Sequence, residues 1–301
     1  MAALSVLRVL AALVLAPLLF SVINRVKAVF AGRRGKRLSQ PYRDLAKLAR
    51  KGAVYSRTTT WLFRAAPAVS LAAIVAALAL VPLGRLDAAP GFTGDFILAV
   101  YLLALARCAV VLAALDTGSS FEGMGASREA AFSALAEPAL FLCFLVLAAS
   151  TREATLNGLL RGAALSASAP ELALAPLTLF IVLLAENARI PVDDPNTHLE
   201  LTMIHEAMIL DHSGPDLAFI QYGAALKLWL FCAVLTGAVV PPLGRGPWLD
   251  FALAVAGIFA CAVLVGVVES VMARLRLPRV PKLLALACAC AAIALILTLW
   301  R

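Results

Sequence analysis

Apolar residues fall in eight runs along the chain, at about 4–23, 66–86, 96–115, 134–150, 172–190, 221–243, 249–271 and 281–300. Runs of roughly 17–25 residues cross a hydrocarbon core about 30 Å thick. Each run carries Ala, Leu and Val on every side, whereas a soluble helix would show a stripe and a half-buried strand an alternation. The pattern predicts an all-α, polytopic membrane protein of about eight transmembrane helices, with residues 1–301 forming a single integral membrane domain. No repeat or linker divides it. The first run is followed by Arg25, Lys27, Arg33 and Arg34 and by no cleavage-site pattern, so it reads as a retained anchor.

Between the runs two polar stretches stand out. Gly32–Arg57 places Leu45, Leu48 and Ala49 at helical spacing among Arg43, Lys47, Arg50 and Lys51. That suits a short amphipathic helix on the membrane surface, although a solvated basic loop that only fixes topology fits the same residues. Glu186–Tyr222 is the second. Pro191 and Pro195 end the fifth run there, a helix is expected to resume near Asn196 or Thr197 and run to about Leu210, and Gly214–Pro215 breaks it.

Charge then sets the orientation. Asn24–Pro67 holds twelve Lys and Arg against the single acid Asp44, and Met272–Lys282 adds Arg274, Arg276, Arg279 and Lys282. The remaining connections carry scattered cations such as Arg152, Arg161 and Arg245. The positive-inside rule puts both termini outside and the loops near 24–65 and 187–221 in the cytoplasm. The net charge of +8 is thereby explained by topology, and a nucleic-acid partner is excluded. Composition agrees, with 62% hydrophobic and 15% charged residues against about 45–50% and about 25% in soluble domains.

The candidate chemistry is proton handling rather than redox or metal chemistry. All six cysteines lie in apolar runs and no CxxC occurs, so a cluster or zinc site in this chain is not expected. His198, His205 and His212 are seven apart, about 10 Å along a helix, too far to share one ion. Seven of the eighteen acids fall in Glu186–Asp216. Glu137, Glu186 and Glu269 sit at span ends, with Asp116 and Glu122 in the connection after the third run. Arg107 and Lys227 lie within spans and each needs a counter-charge or a water-filled cavity. Such pairs staple helices together or carry protons.

Those residues carry a resemblance. Glu186–Leu201 resembles the loop after the fifth helix of the quinone-proximal membrane subunit of respiratory complex I, of pattern E-x-N-R-x-P-F-D-x-P-E-x-E-x-E-L. Glu186, Arg189, Pro191, Asp193, Pro195, Glu200 and Leu201 match it, while Ala188 replaces the asparagine, Val192 the aromatic, and Asn196 and His198 two acids. Gln40, Pro41, Asp44, Lys47 and Leu48 are similar to its Q-P-x-x-D-x-x-K-L segment, Glu137 to a glutamate opening the fourth helix, and Arg276, Pro278 and Arg279 to its R-x-P-R stretch. The wording of ARIPVDDPNTHLELTMIHEAMILDHSGPDLAF and QPYRDLAKL looks like the formate hydrogenlyase and group 4 nickel–iron hydrogenase branch.

The resemblance implies a non-catalytic membrane subunit of an oxidoreductase complex in the cell's inner (plasma) membrane. It would anchor an electron-transfer arm and couple redox chemistry to proton or sodium translocation. Implied partners are hydrogenase large and small subunits, an iron–sulfur subunit, an antiporter-like membrane subunit and the lipid bilayer. The Ni–Fe centre and iron–sulfur clusters belong to those partners, with no cofactor in this chain. Glu137, Glu186, Asp193, Glu200 and Glu206 are the candidate relay, with Arg189 setting its potential. Gln40, Pro41, Asp44, Lys47, Arg276 and Arg279 are the candidate docking residues. The loss of two acids and an aromatic counts against a conventional quinone site. A quinone pocket between Tyr42–Arg50 and Glu186–Asp216, a passive anchor, and an independent ion transporter remain alternatives.

Overall fold

The computed structural model describes residues 2–84, 86–88, 90–165, 173–193, 203–242, 244 and 246–300. Within them the chain is helical, with no named strand. The helices are α1 (Ala2–Phe30), α2 (Gln40–Ala49), α3 (Trp61–Leu80), α4 (Asp95–Asp116), α5 (Ser120–Thr151), α6 (Leu156–Leu165), α7 (Leu174–Glu186), α8 (His205–Met208), α9 (Gly214–Val239), α10 (Pro247–Val271) and α11 (Val280–Trp300). Seven of these are long and apolar enough to cross a membrane: α1, α3, α4, α5, α9, α10 and α11. The fifth expected run appears as α7, whose 13 described residues span about 20 Å. The chain is a multi-pass membrane protein.

α9 is the axis of the bundle, packed against α1, α2, α3, α6, α7 and α10. It is also the most deeply enclosed span. Trp229, Leu226, Leu228 and Cys232 on it are buried in a core shared with α1, α3, α4, α5, α7, α10 and α11. The flanking helices α10 and α11 keep apolar faces outward, as lipid-facing helices do. The connections 31–60 and 272–279 meet on one side of the bundle. There Lys27 pairs with Glu269 at 2.9 Å, Leu275 N–H donates to Pro191 O at 2.9 Å, and Val54 N–H donates to Ser213 Oγ at 3.0 Å. This is called the basic face below.

Three local expectations are corrected. The connection after α4 is helix, because α5 starts at Ser120, covers 32 residues and reaches about 48 Å. It overshoots a hydrocarbon core of about 30 Å, and the surplus rises on the basic face carrying Glu122, Arg128 and Glu129. Of the helix expected from Asn196 or Thr197 to Leu210, the start lies outside the described residues, and the described part, 203–210, holds one helical turn, His205–Met208. That turn is short because its backbone is held from elsewhere. Ile204 and His205 N–H both donate to Asp193 Oδ2 at 3.3 Å, and Arg128 donates to Met203 O at 2.9 Å. The sixth span begins at Gly214, not 221: Gly214 takes φ +55°, and Pro215 sits in the first turn, where its missing N–H costs nothing.

The surface helix forms as α2, with no buried residue. It is moored to α1 through a proline. Pro17 lies inside α1, so the carbonyl four residues earlier, Leu13 O, has no N–H to accept from. Tyr222 Oη on α9 donates to it at 2.8 Å. Tyr42 on α2 donates to the next carbonyl, Val14 O.

Candidate functional site

Ionisable side chains converge on α9 where it nears the basic face. Glu186, the last residue of α7, is buried and lies between two cations. Arg107 Nη1 from α4 is 3.0 Å from Glu186 Oε1, and Lys227 Nζ from α9 is 2.8 Å from Glu186 Oε2. Arg107 also reaches Glu137 Oε1 on α5 at 3.1 Å. Both spans that carry a cation at mid-height thus find their counter-charge, and the carboxylate is shared. Breaking a buried pair by removing one partner typically costs about 3–5 kcal/mol, so the three helices depend on each other's charges.

This cluster forms one wall of a cavity. Arg107, Glu129, Glu186, Asn187, His205 and Lys227 line it with the apolar Phe20, Ile74, Val110, Met208 and Ile220. Its interior gives the centres of water molecules about 80 Å³, room for roughly five waters. A second, smaller cavity adjoins it through Arg107, Glu129, Glu186 and Ala188 and continues to Asp193 and Ile204. Glu129 therefore stands at the junction. It makes no hydrogen bond or ion pair among the described residues, and Lys227, then Arg107, are the cations that act on it most strongly. His205 is half-buried on the wall. Burial, then the charges of Lys227 and Arg189, push its imidazole down to about 4, so it is neutral at pH 7.

The residues singled out in the sequence divide between this cluster and its supports. Glu186 and Glu137 belong to the cluster. Asp193 ties the loop together: Arg274 Nη2 is 2.6 Å from its Oδ1, and its other oxygen caps the α8 turn. Arg189 lies 3.4 Å from Glu269 Oε1 and stacks its guanidinium over the Phe20 ring at 4.7 Å. It reaches the cavity through Phe20 rather than by touching Glu186. Glu206 is half-buried on α8, off the cavity lining. Glu200 and His198 lie outside the described residues, as do Asp194, Pro195 and Leu201. Ala188 takes φ +48°, the left-handed region that suits asparagine better than alanine.

Of the docking candidates, Asp44, Lys47, Arg276 and Arg279 are exposed on the basic face, while Gln40 and Pro41 are half-buried. Gln40 Nε2 donates to Asp44 Oδ1 at 2.8 Å. Sequence reasoning missed Glu129 altogether. Glu122 and Glu129 are seven residues apart, two turns on one helical face, a signal readable only once 120–133 is taken as helix. Among the described residues, no three His, Cys, Asp or Glu side chains gather as metal ligands would.

His212 forms a separate buried feature. Its ring stacks on Phe63 at 4.0 Å between centroids and 8° between planes. Burial lowers its pKa against the opposing pull of Asp216 and Asp211. Asp211 N–H donates to Glu122 Oε1 at 3.1 Å, which ties this corner to the overshooting end of α5.

Comparison with known proteins places the chain. Formate hydrogenlyase subunit 4 of Escherichia coli (strain K12) is 29% identical over 277 residues, 89% of either chain. Hydrogenase-4 component C of the same strain is 32% identical over 247 residues, 80% of this chain and 75% of that one. Both names are those of components of larger assemblies. Among solved structures, a chain of the membrane-bound sulfane sulfur reductase, an archaeal respiratory membrane complex, superposes with a TM-score of 0.82 over 98% of both chains at 19% identity, which establishes the shared fold. A sequence profile of the NADH dehydrogenase family matches residues 3–300, and with nearly the whole length covered the chain belongs to that family.

Proposed function

We propose that this chain is a membrane subunit of an energy-converting, formate hydrogenlyase-like complex in the inner membrane, and that it couples redox chemistry in a soluble arm to ion movement. The observation that carries this reading is Glu186, clamped between Arg107 and Lys227 on the wall of a cavity with room for water that also holds Glu129 and His205. Electrons run through the Ni–Fe and iron–sulfur centres of partner subunits: hydrogenase large and small subunits and an iron–sulfur subunit docked on the basic face. The residues of this chain respond electrostatically. One unit of charge at about 4 Å and an effective dielectric of about 20 is worth about 4 kcal/mol, roughly three pKa units. A charge arriving at the basic face therefore changes which of Glu129, Glu186 and Glu137 holds a proton, and Arg107 and Lys227 set the resting state. An antiporter-like neighbour receives the change through the half-exposed Glu137.

The test is Glu186→Gln in the assembled complex, alongside Lys227→Gln. In complex purified with wild-type electron flux, proton uptake per turnover falls at least about tenfold for each variant, the effect of roughly 1.4 kcal/mol or more on a coupling step. Unchanged proton movement with intact assembly would reduce the chain to a passive anchor. The apolar side of the cavity, Phe20, Ile74, Val110, Met208 and Ile220, supports a second reading in which a quinone ring lies against it. Hydrogen evolution from formate or ferredoxin in quinone-free membranes decides against that reading.

A further inference from the structure

The connection between α1 and α2 is a built turn. α1 ends in a Schellman motif: Gly32 takes φ +64°, Arg33 N–H donates to Ala28 O at 2.8 Å and Gly32 N–H to Val29 O at 3.0 Å. The chain then reverses and runs back along the helix it has just left. A Cβ at Gly35 would lie 3.2 Å from Ala28 Cβ and 3.3 Å from Arg25 Cα, so glycine permits the close approach. Ser21 Oγ donates to Leu38 O at 2.8 Å, and Tyr42 meets Val14 O further along. The turn therefore lies against a membrane-crossing helix instead of projecting from it. Arg33, Arg34, Lys36 and Arg37 are gathered beside Arg25, and all five are exposed. None of them makes an ion pair among the described residues. Val29 and Phe30, 70% and 56% exposed, and the exposed Leu38 are interleaved with them.

We propose that this turn binds the phosphate headgroup of an anionic phospholipid in the leaflet on the basic face. Four cations in the turn and Arg25 beside them, without ion pairs among the described residues, concentrate positive charge at one point, and the guanidinium fork suits phosphate oxygens. The apolar residues choose between anions. An acidic protein segment gains nothing from exposed Val29, Phe30 and Leu38 beside the cations. A lipid sets its phosphate among the guanidinium groups and its acyl carbons against those side chains. The continuity of the turn with α1 places both parts at the membrane boundary. The proposal stands apart from the coupling role and survives its failure.

The experiment uses the purified full-length chain in neutral detergent, with bound lipid counted by native mass spectrometry after adding phosphatidylglycerol or phosphatidylcholine. Phosphatidylglycerol is expected to bind in preference, the preference fading as salt rises, and each cation removed in R33Q/R34Q/K36Q/R37Q weakens it about fivefold. R33K/R34K/K36R/R37K retains the charge and the preference, which separates loss of the site from loss of the fold. The single variants R34Q and R37Q carry the test should the glutamine set fail to fold. Equal uptake of the two lipids by the wild type, or undiminished phosphatidylglycerol binding by the glutamine variants, overturns the proposal. So does a glutamine variant that keeps its lipid and loses a co-purifying protein, since the turn then serves an acidic partner.

Discussion

At the scale of single residues, the cavity wall holds one histidine in its neutral form. His205 is held neutral by burial and by Lys227 and Arg189, with its titration pushed down to about 4. The unfolded chain binds a proton at this position near pH 6.5 and the folded chain does not until about pH 4. Between those values the unfolded state carries more protons, so stability is full above pH 6.5 and falls as the solution is acidified. From pH 6.5 to pH 5 the loss is about 2 kcal/mol. Thermal midpoints in detergent at pH 7 and pH 5 should therefore differ more for the wild type than for His205→Gln, and equal differences would remove His205 from the wall. Such a residue is only half legible in sequence. That His205 lies in an acid-rich loop is plain from composition, but its neutrality comes from Lys227, distant along the chain and brought beside it by the packing of α9. Glu186 and Glu137 were recognisable because each closes or opens an apolar run. Glu129 was not, since nothing local distinguishes it from a solvated acid.

At the scale of the helices, the shortness of the α8 turn has a cause that hydropathy does not show: its backbone polar groups are satisfied from outside it, by Asp193 and by Arg128 of α5. Hydropathy places α1, α3, α4, α10 and α11 well, because lipid-facing length is a local property. It cannot place the start of α5, where Gly123, Gly125 and several polar residues lower both apolarity and helix propensity. Packing explains Gly125, since a Cβ there would lie 2.9 Å from Ala207 Cβ and 3.0 Å from Ile204 O. The α8 turn rests on that bare backbone. Pro17 inside α1 gives a sharper test of the same idea. Tyr222 Oη satisfies the carbonyl that Pro17 leaves free, so Tyr222→Phe should cost about 1 kcal/mol. In a Pro17→Ala background the backbone N–H restored at that position bonds Leu13 O itself, and Tyr222→Phe should then cost little. A double-mutant cycle on thermal midpoints measures the coupling, and strictly additive effects would mean that the tyrosine merely packs there.

Across the whole molecule, α9 orders what the cavities separate. Ile220, Ala224 and Lys227 line the polar-walled cavity near the basic face. Leu230, Phe231 and Val234 come next and face a small void lined otherwise by Val81, Ala99, Val100, Leu103, Leu140, Phe144 and Leu156, apolar throughout. Ala233, Thr236, Gly237 and Val240 then line a third cavity toward the opposite face, with Arg161 and Asp250. α4 and α5 repeat the order, with Arg107 and Glu129 on one side of the void and Leu103, Leu140 and Phe144 around it. From Lys227 to Thr236 is nine residues, about 13 Å along the helix. An apolar void of this kind stays dry, and an ion crossing it loses its hydration at a cost of several kcal/mol. Among the described residues, the polar-lined cavity that holds Glu186 and Glu129 is thus followed along α9 by an apolar layer. The chain alone, reconstituted in liposomes, should accordingly hold a pH gradient as well as lipid alone does. Leu230→Asn combined with Phe144→Ser wets the layer and should collapse the gradient at least about tenfold faster, the rate effect of roughly 1.4 kcal/mol taken off the barrier. Proton flux through the unmodified chain above that of empty liposomes would restore an independent transporter and break the apolar barrier as described.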